Sequence, residues 1–142
     1  RVRFVLKNSA EPLKVEHLKR VIFTTIPQRD KNKVKVVFSQ NLPVIIHPSG
    51  LDVNMEPWKD LQWHMRGGKL SVENKTPYVI RLEQKVKLPS GAHADLPKAY
   101  ILPGETISAH ASTTLSALDK NIEMYPATRY GYKAKSFVAE IK

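Results

Sequence analysis

Apolar and polar side chains alternate along much of this chain with a period of two residues. In the most regular stretch, Val34, Val36 and Phe38 fall on one face, and two lysines, a valine and a serine fall on the other. This is the period of a β-strand, in which successive side chains point to opposite faces of a sheet. The pattern, with its interruptions, predicts strands at 2–6, 17–26, 34–46, 60–65, 69–73, 78–87, 100–102, 106–111, 122–125 and 132–141.

Prolines and glycine-containing turns separate these strands and leave little room for helices. The chain has ten prolines, spread along its length, and each removes a backbone donor and disrupts a helix interior. One short helical alternative remains at 112–121, where Leu115 and Leu118 lie three residues apart after a serine- and threonine-rich run. Serine and threonine favour caps and strands over helix interiors, so a loop is equally consistent with this segment. The predicted class is all-β.

The best domain boundary lies at 48–57, where Pro48, Ser49 and Gly50 precede a polar stretch. The part that follows carries enough short strands to close an immunoglobulin-like sandwich. The part before it has three predicted strands, which cannot cover both faces of a sheet. We therefore predict two immunoglobulin-like β-sandwich domains. Residues 1–50 form the end of the first, which is incomplete in this chain, and 51–142 form the second.

Composition and charge exclude several classes of protein. Apolar residues make up 42% and charged residues 25% of the chain, as in folded globular proteins. No apolar run approaches the roughly 18 residues of a membrane-spanning helix, so we expect no membrane insertion. The formal net charge is +10, but the basic residues are scattered singly rather than gathered on a stripe with stacking aromatics. This distribution argues against nucleic-acid binding.

The sequence offers no catalytic or metal-binding constellation. Cysteine is absent, and the histidines are dispersed, whereas a zinc site needs three or four converging ligands. Asp52, Asp60 and Asp95 lie in turn-like stretches without a nucleophile motif. We therefore expect neither an enzyme nor a cofactor.

The alternating face of Val34, Val36 and Phe38 allows two interpretations. In one, it is the core face of a central strand. In the other, the strand lies at a sheet edge and is donated to a partner, whose open sheet it completes. Periodicity cannot separate the two, because both predict the same alternation.

A series of short motifs in a fixed order bears on this choice through its resemblance to a known family. Ile26 and Pro27 precede a polar loop at 28–33, and the strand after it ends in an aliphatic cluster followed by His47 and Pro48. Four further motifs follow in order along the chain: Leu61-Gln62-Trp63, Gly67-Gly68-Lys69-Leu70-Ser71-Val72, Glu73-Asn74-Lys75-Thr76-Pro77-Tyr78-Val79-Ile80 and Ile101-Leu102-Pro103-Gly104-Glu105. In this series the chain resembles the periplasmic chaperones of the chaperone-usher pilus pathway.

The resemblance implies a function. Val34, Val36 and Phe38 would insert into successive pockets of a pilus subunit that lacks its own last strand. The implied partners are pilus subunits and the outer-membrane usher, and the implied location is the periplasm. Self-association of the client-free protein is left open. The alternative is an immunoglobulin-like structural or adhesive module whose strand at 34–46 is merely core.

The chain departs from the family at one position that matters. Well-known members use a donor-strand lysine, with an arginine near the start of the first domain, to grip the client's terminal carboxylate. Counting back from His47 and Pro48, the lysine position is Pro43, which has neither the charge nor an N–H. The neighbouring amides of Gln40 and Asn41, or another basic residue, are the candidates to replace it. The short loop at 28–33 resembles the short-loop branch of the family.

Overall fold

The computed structural model describes residues 3, 5, 13–27, 31–32 and 34–142. Most of the predicted strand at 2–6, residues 28–30 of the predicted loop and Lys33 lie outside the described residues. The first two strands, β1 (His17–Thr24) and β2 (Ser39–Ile46), form an antiparallel two-stranded sheet. Its register runs from His17 opposite Ile46 to Thr24 opposite Ser39.

The remaining ten strands are short and belong to the second part of the chain. They follow a single 3₁₀ turn at Pro57–Asp60. The strands are β3 (Gln62–Arg66), β4 (Lys69–Glu73), β5 (Ile80–Leu82), β6 (Lys85–Lys87), β7 (His93–Asp95), β8 (Tyr100–Ile101), β9 (Thr106–Ser108), β10 (Asn121–Met124), β11 (Pro126–Ala127) and β12 (Phe137–Glu140).

These ten strands form three antiparallel sheets around one core. Their orders are β12-β10-β6-β7, β11-β5-β8 and β3-β4-β9. Inward-facing residues from all three sheets pack together, because alternate positions along each strand are apolar. The largest fully buried side chains are Trp63, Leu70, Ile80, Leu82, Leu88, Leu96, Ile101, Ile122 and Met124. Trp63 is therefore a core residue of the second part, as its place in an alternating strand predicts.

One predicted strand and one pair of consecutive strands change sheets partway along. The stretch predicted at 78–87 is divided into β5 and β6, which belong to different sheets. The run from β10 to β11 is divided in the same way at Tyr125, whose carbonyl accepts a hydrogen bond from the Glu83 N–H at 2.8 Å. The buried positions in the strands before and after each break are all even-numbered, so periodicity predicts which face is buried but not which strand lies alongside.

Other boundaries also differ from the predicted ones. The segment 112–121 contains no helix: Leu115 is buried, Leu118 is 86% exposed, and β10 begins at Asn121. The strand β7 was not predicted, because Ala94 is its single buried apolar residue. The strand predicted at 132–141 is observed only as β12, and the strand predicted at 34–46 is observed only as β2.

A buried asparagine organises the turn between β4 and β5. Asn74 is fully buried, and its Nδ2 donates hydrogen bonds to the carbonyls of Tyr78 at 2.8 Å and Ile101 at 3.0 Å. Its Oδ1 accepts from the Thr76 N–H at 3.0 Å and from the Thr76 hydroxyl at 2.6 Å. Four hydrogen bonds thus satisfy one buried amide, as burial of a polar group requires.

Replacing Asn74 by alanine should lower the free energy of unfolding of the second part by about 2 kcal/mol, because buried carbonyl and N–H groups lose their partners. Urea unfolding followed by Trp fluorescence measures the change. Lys75→Ala, at the exposed neighbouring position, is the control and should stay within about 0.5 kcal/mol of the original chain. Equal stability of both variants would show that the amide network contributes nothing.

Candidate strand-donation site

The outer edge of β2 is the first element of the site. Within the described part of the chain, β2 pairs with β1 alone. An edge strand of this kind presents a row of backbone N–H and C=O groups to another chain. β2 therefore has the backbone that strand addition requires.

The segment before β2 carries the apolar side chains. The Thr25 N–H donates to the Phe38 carbonyl at 3.0 Å, and the Phe38 N–H donates to the Thr25 hydroxyl oxygen at 3.2 Å. This contact extends the pairing of β1 and β2 by one step. Val34 is 96%, Val36 63% and Phe38 67% exposed. Residues 34–38 therefore form an exposed, apolar extension, and the regular strand begins only at Ser39.

The register of β1 and β2 separates the two amides that were singled out from the sequence. Gln40 lies opposite Phe23, and Asn41 lies opposite Ile22. Neighbouring residues of a strand point to opposite faces, so Asn41 shares a face with Pro43, and Gln40 lies on the other. Pro43 itself lies opposite Arg20. The two amides cannot therefore act together on one face of β2.

A buried carboxylate joins the β1-β2 sheet to the second part of the chain. Glu16 is 7% exposed, and its Oε2 lies 2.8 Å from His47 Nδ1. Its Oε1 accepts a hydrogen bond from the Val79 N–H at 2.9 Å, and its own N–H donates to the Pro77 carbonyl at 2.8 Å. His47 Nε2 lies 2.7 Å from the Leu51 carbonyl oxygen. Both ring nitrogens of His47 thus lie within hydrogen-bond distance of an oxygen atom.

This junction fixes where β2 lies relative to the second part. Glu16 directly precedes β1 and His47 directly follows β2, so one contact between a carboxylate and an imidazole closes the base of the hairpin. The contact resists separation, because the buried Glu16 carboxylate would lose its hydrogen-bond partners. Sequence reasoning missed Glu16, since its role depends on contacts with Val79 and Pro77 that no local pattern indicates.

A cleft of about 420 Å³ lies between β2 and the second part. Pro43 and Ile45 line it from β2, so the face of β2 that carries Asn41 is the cleft face. The opposite wall includes Arg81, Tyr100 and Arg129. Sequence reasoning did not predict this second wall, because its residues come from separate strands and a turn.

Neither a metal-ligand cluster nor a membrane-spanning helix occurs among the described residues. Among the described residues, no three His, Cys, Asp or Glu side chains converge as a metal ion would require. The helical structure in that same part of the chain includes no segment long and apolar enough to cross a membrane.

Comparison with known proteins gives matches in both parts of the chain. Residues 56–137 match the family described as "Pili assembly chaperone PapD, C-terminal domain". Residues 1–52 match "Pili and flagellar-assembly chaperone, PapD N-terminal domain". The chain is also 41% identical, over 147 aligned positions, to the uncharacterized fimbrial chaperone YhcA of Escherichia coli strain K12. That alignment covers 99% of this chain and 62% of the relative, so the chain spans less than two thirds of that protein's length.

Solved structures share the fold. The CupB2 chaperone of Pseudomonas aeruginosa superposes with a TM-score of 0.69 at 18% identity, covering 95% of this chain and 63% of the other. The structure of the Salmonella enterica SafA pilin in complex with the SafB chaperone gives 0.68 at 19% identity, with 94% and 63% covered. This likeness confirms the predicted all-β, immunoglobulin-like class. Because the C-terminal match alone covers more than half of the chain, the chain belongs to the PapD family of pili assembly chaperones.

Proposed function

We propose that this chain is part of a periplasmic chaperone that binds and folds pilus subunits by donor-strand complementation. In this proposal, residues 34–38 and β2 pair with the open sheet edge of a subunit, and Val34, Val36 and Phe38 enter its groove. The observation that carries the proposal is the exposure of these three large apolar side chains, from 63% to 96%, beside an open strand edge.

The physical reason for pairing is that the donor strand and the subunit's open sheet expose complementary surfaces. Exposed apolar side chains and unpaired backbone groups are an aggregation hazard in water. A sheet that lacks one strand likewise exposes apolar side chains, in its open groove, and unpaired backbone groups, along its edge. Burying a valine or phenylalanine side chain contributes about 1.5–3 kcal/mol, and the backbone pairing adds a directional constraint. Binding would therefore complete the subunit's fold.

Similar proteins support this proposal. The SafB chaperone has been solved in complex with a pilin, and YhcA is described as a fimbrial chaperone. We extend the pilus-subunit partner to this chain, together with delivery to the outer-membrane usher. The proposal includes a domain boundary, with 1–50 in the first immunoglobulin-like domain and 51–142 in the second, and no catalytic step. Without a client, the same exposed edge would be open to a second copy of the chain.

The proposal assigns different contacts to Gln40 and Asn41. Gln40 lies on the Phe38 face of the strand and is assigned to the rim of the subunit groove. Asn41 lies on the Pro43 face and is assigned to the cleft. Of the two, Asn41 is thus the better placed to contact the client's terminus.

Co-purification from a periplasmic extract tests the proposal. A tagged form of the chain, expressed with a signal for export, is recovered under native conditions, and bound proteins are identified by mass spectrometry. We expect a pilus subunit in the bound fraction. An extract from cells that lack the pilus subunit genes is the control.

Two results would contradict the proposal. Recovery of the chain alone or only with itself would favour an immunoglobulin-like structural module. Recovery of nucleic acid in place of a subunit would point to a different class of partner. Either result must hold when subunits are present in the same extract at detectable levels.

A further inference from the structure

The turn between β11 and β12 presents two exposed tyrosines. Tyr130 is 71% and Tyr132 is 73% exposed, and neither belongs to the core of the second part. A tyrosine combines a large apolar ring with a polar tip, and such side chains are enriched where one end of the ring is buried and the other is wet. The turn therefore carries a surface that the folding of the second part does not use.

Hydrogen bonds hold this turn in one conformation. The Thr128 N–H donates to the Tyr132 carbonyl at 2.7 Å, and the Gly131 N–H donates to the Thr128 carbonyl at 2.9 Å. The Tyr132 N–H also donates to the Thr128 hydroxyl oxygen at 3.2 Å. Gly131 has a φ of 84°, which a glycine adopts without strain. The two tyrosines are thus preorganised, so less conformational entropy is lost when they bind.

Strand pairing places cations beside the turn. Arg81 lies opposite Ala127, and Ala127 lies opposite Lys133, so the three residues share one face. A Cβ placed on Gly131 would lie 3.6 Å from Arg81 Nη1. Lys133 Nζ lies 3.0 Å from a carboxylate oxygen of Glu83, but both side chains are well exposed, and water screens the contact. Arg81 and Lys133 therefore keep positive charge on the outward face next to the tyrosines.

The turn and the segment after it add further positive charge. The guanidinium carbon of Arg129 lies 5.7 Å from the ring centre of Tyr130, and Lys135 is exposed. Residues 124–139 include three basic side chains and no acidic one. The fold thus gathers cations that lie singly in the sequence. The basic tyrosine patch consists of Arg81, Arg129, Tyr130, Tyr132, Lys133 and Lys135.

We propose that the basic tyrosine patch binds the surface of a membrane that contains anionic phospholipids. Lysine and arginine near such a surface are attracted to its negative charge. Tyrosine settles at the level of the head groups, with its ring towards the acyl chains and its hydroxyl towards water. The net charge of +10 draws the whole chain towards the same surface. The contact is peripheral, and it does not depend on strand donation.

Composition and shape favour a lipid surface over other occupants. Protein hot spots centre on well-packed anchors in pockets from which water is excluded, whereas the tip of this turn is exposed and 128–136 contains no large aliphatic side chain. Single-stranded nucleic acid is bound in a basic groove with stacked aromatic rings, and the two tyrosines lie on a turn instead. Tyr130 also lines the cleft beside β2, so a client is the competing occupant that the experiment must exclude.

Vesicle flotation with the purified chain tests the proposal without any pilus subunit. One set of vesicles contains phosphatidylglycerol and phosphatidylethanolamine in equal parts, and the other replaces phosphatidylglycerol by phosphatidylcholine. We expect the chain to float with the anionic vesicles at low ionic strength, to be released as salt is raised, and to remain unbound with the uncharged set. Equal flotation with both sets, or flotation with neither, would overturn the proposal.

Charge variants separate the patch from the net charge of the chain. Lys133→Gln with Lys135→Gln should weaken binding to the anionic vesicles about tenfold or more. Lys69→Gln with Lys120→Gln removes the same two charges at exposed positions outside the patch, and should weaken binding much less. An equal loss in the two double variants would show that net charge alone attracts the chain, and would overturn the proposal.

Tyrosine variants test the second component of the patch at constant charge. Tyr130→Ser with Tyr132→Ser should weaken vesicle binding several-fold, because the head-group region loses both rings. Leu118→Ser, at an 86% exposed leucine outside the patch, is the control and should bind as the original chain does. Urea unfolding should be unchanged in both, since all three side chains are exposed. Undiminished binding by the tyrosine variant would contradict the proposal.

The remaining outcomes assign the patch to another occupant. A tyrosine variant that keeps vesicle binding but loses capture of a pilus subunit would assign it to the client. Tighter binding of a single-stranded oligonucleotide than of the vesicles, lost in the tyrosine variant, would assign it to nucleic acid. Either result would overturn the membrane contact.

The donor residues are tested separately from the patch. Val36→Asp with Phe38→Asp should still float with the anionic vesicles, so failure of strand donation is distinguishable from failure of the membrane contact. Flotation that is lost in this variant but kept in the tyrosine variant would place the lipid contact on residues 34–38 and overturn the proposal.

Discussion

Replacing Val36 and Phe38 by aspartate should reduce capture of a pilus subunit about a hundredfold or more. Each buried valine or phenylalanine contributes about 1.5–3 kcal/mol, and the variant would in addition place two unpaired carboxylates in an apolar groove. The two losses together exceed the 2.7 kcal/mol or so that a hundredfold change requires. Capture is measured by co-purification or by surface binding of a purified subunit.

The control for this prediction is Val138→Asp. Val138 is a 58% exposed valine on β12, comparable in exposure to Val36 at 63%, and its substitution should leave capture unchanged. The second part should stay folded in all variants, because Val36 and Phe38 lie outside its core. Undiminished capture by the double variant would show that these side chains are not the donated face.

Replacing Glu16 by alanine should release the β1-β2 hairpin from the second part of the chain. The change leaves the buried Val79 N–H without its acceptor and His47 Nδ1 without its partner. Leaving a buried donor without its acceptor costs about 1–3 kcal/mol. Amide hydrogen exchange in β1 and β2 should accelerate by a corresponding factor, while exchange in the core strands around Trp63 stays slow.

Glu56→Ala is the matched control for the junction. Glu56 is likewise a paired glutamate, with Lys59 at 2.7 Å, but both side chains of that pair are about half exposed. Exposed pairs contribute about 0–1 kcal/mol, so exchange in β1 and β2 should not change. If Glu16→Ala left exchange in the hairpin unaltered, the buried Glu16 contacts would not be what holds it in place.

Local patterns predict where most strands lie and which apolar residues share a face, because both depend on nearby residues. The alternation of Val34, Val36 and Phe38 is visible in the sequence, and the structure leaves all three exposed. Alternation does not, however, reveal hydrogen-bond neighbours. The alternation therefore predicts one strand at 78–87, although β5 and β6 belong to different sheets.

The cleft and the junction could not be predicted, because they arise from residues far apart in the chain. Arg81 and Arg129 become neighbours only through the pairing of β5 with β11. Glu16 becomes buried only through contacts with Val79 and Pro77. The sequence does show that Pro43 removes a charge, but only the folded chain identifies which cations line the same cleft.

Hydrogen exchange at residues 34–46, with and without a bound pilus subunit, tests strand donation most directly. Backbone pairing with the subunit should protect the amides that face it within 34–37, a segment without strand pairing in the free chain, and those on the outer edge of β2. We predict at least about tenfold slower exchange for these amides, with no comparable change at β12. A tightly bound subunit that leaves exchange at 34–46 unchanged would contradict strand donation.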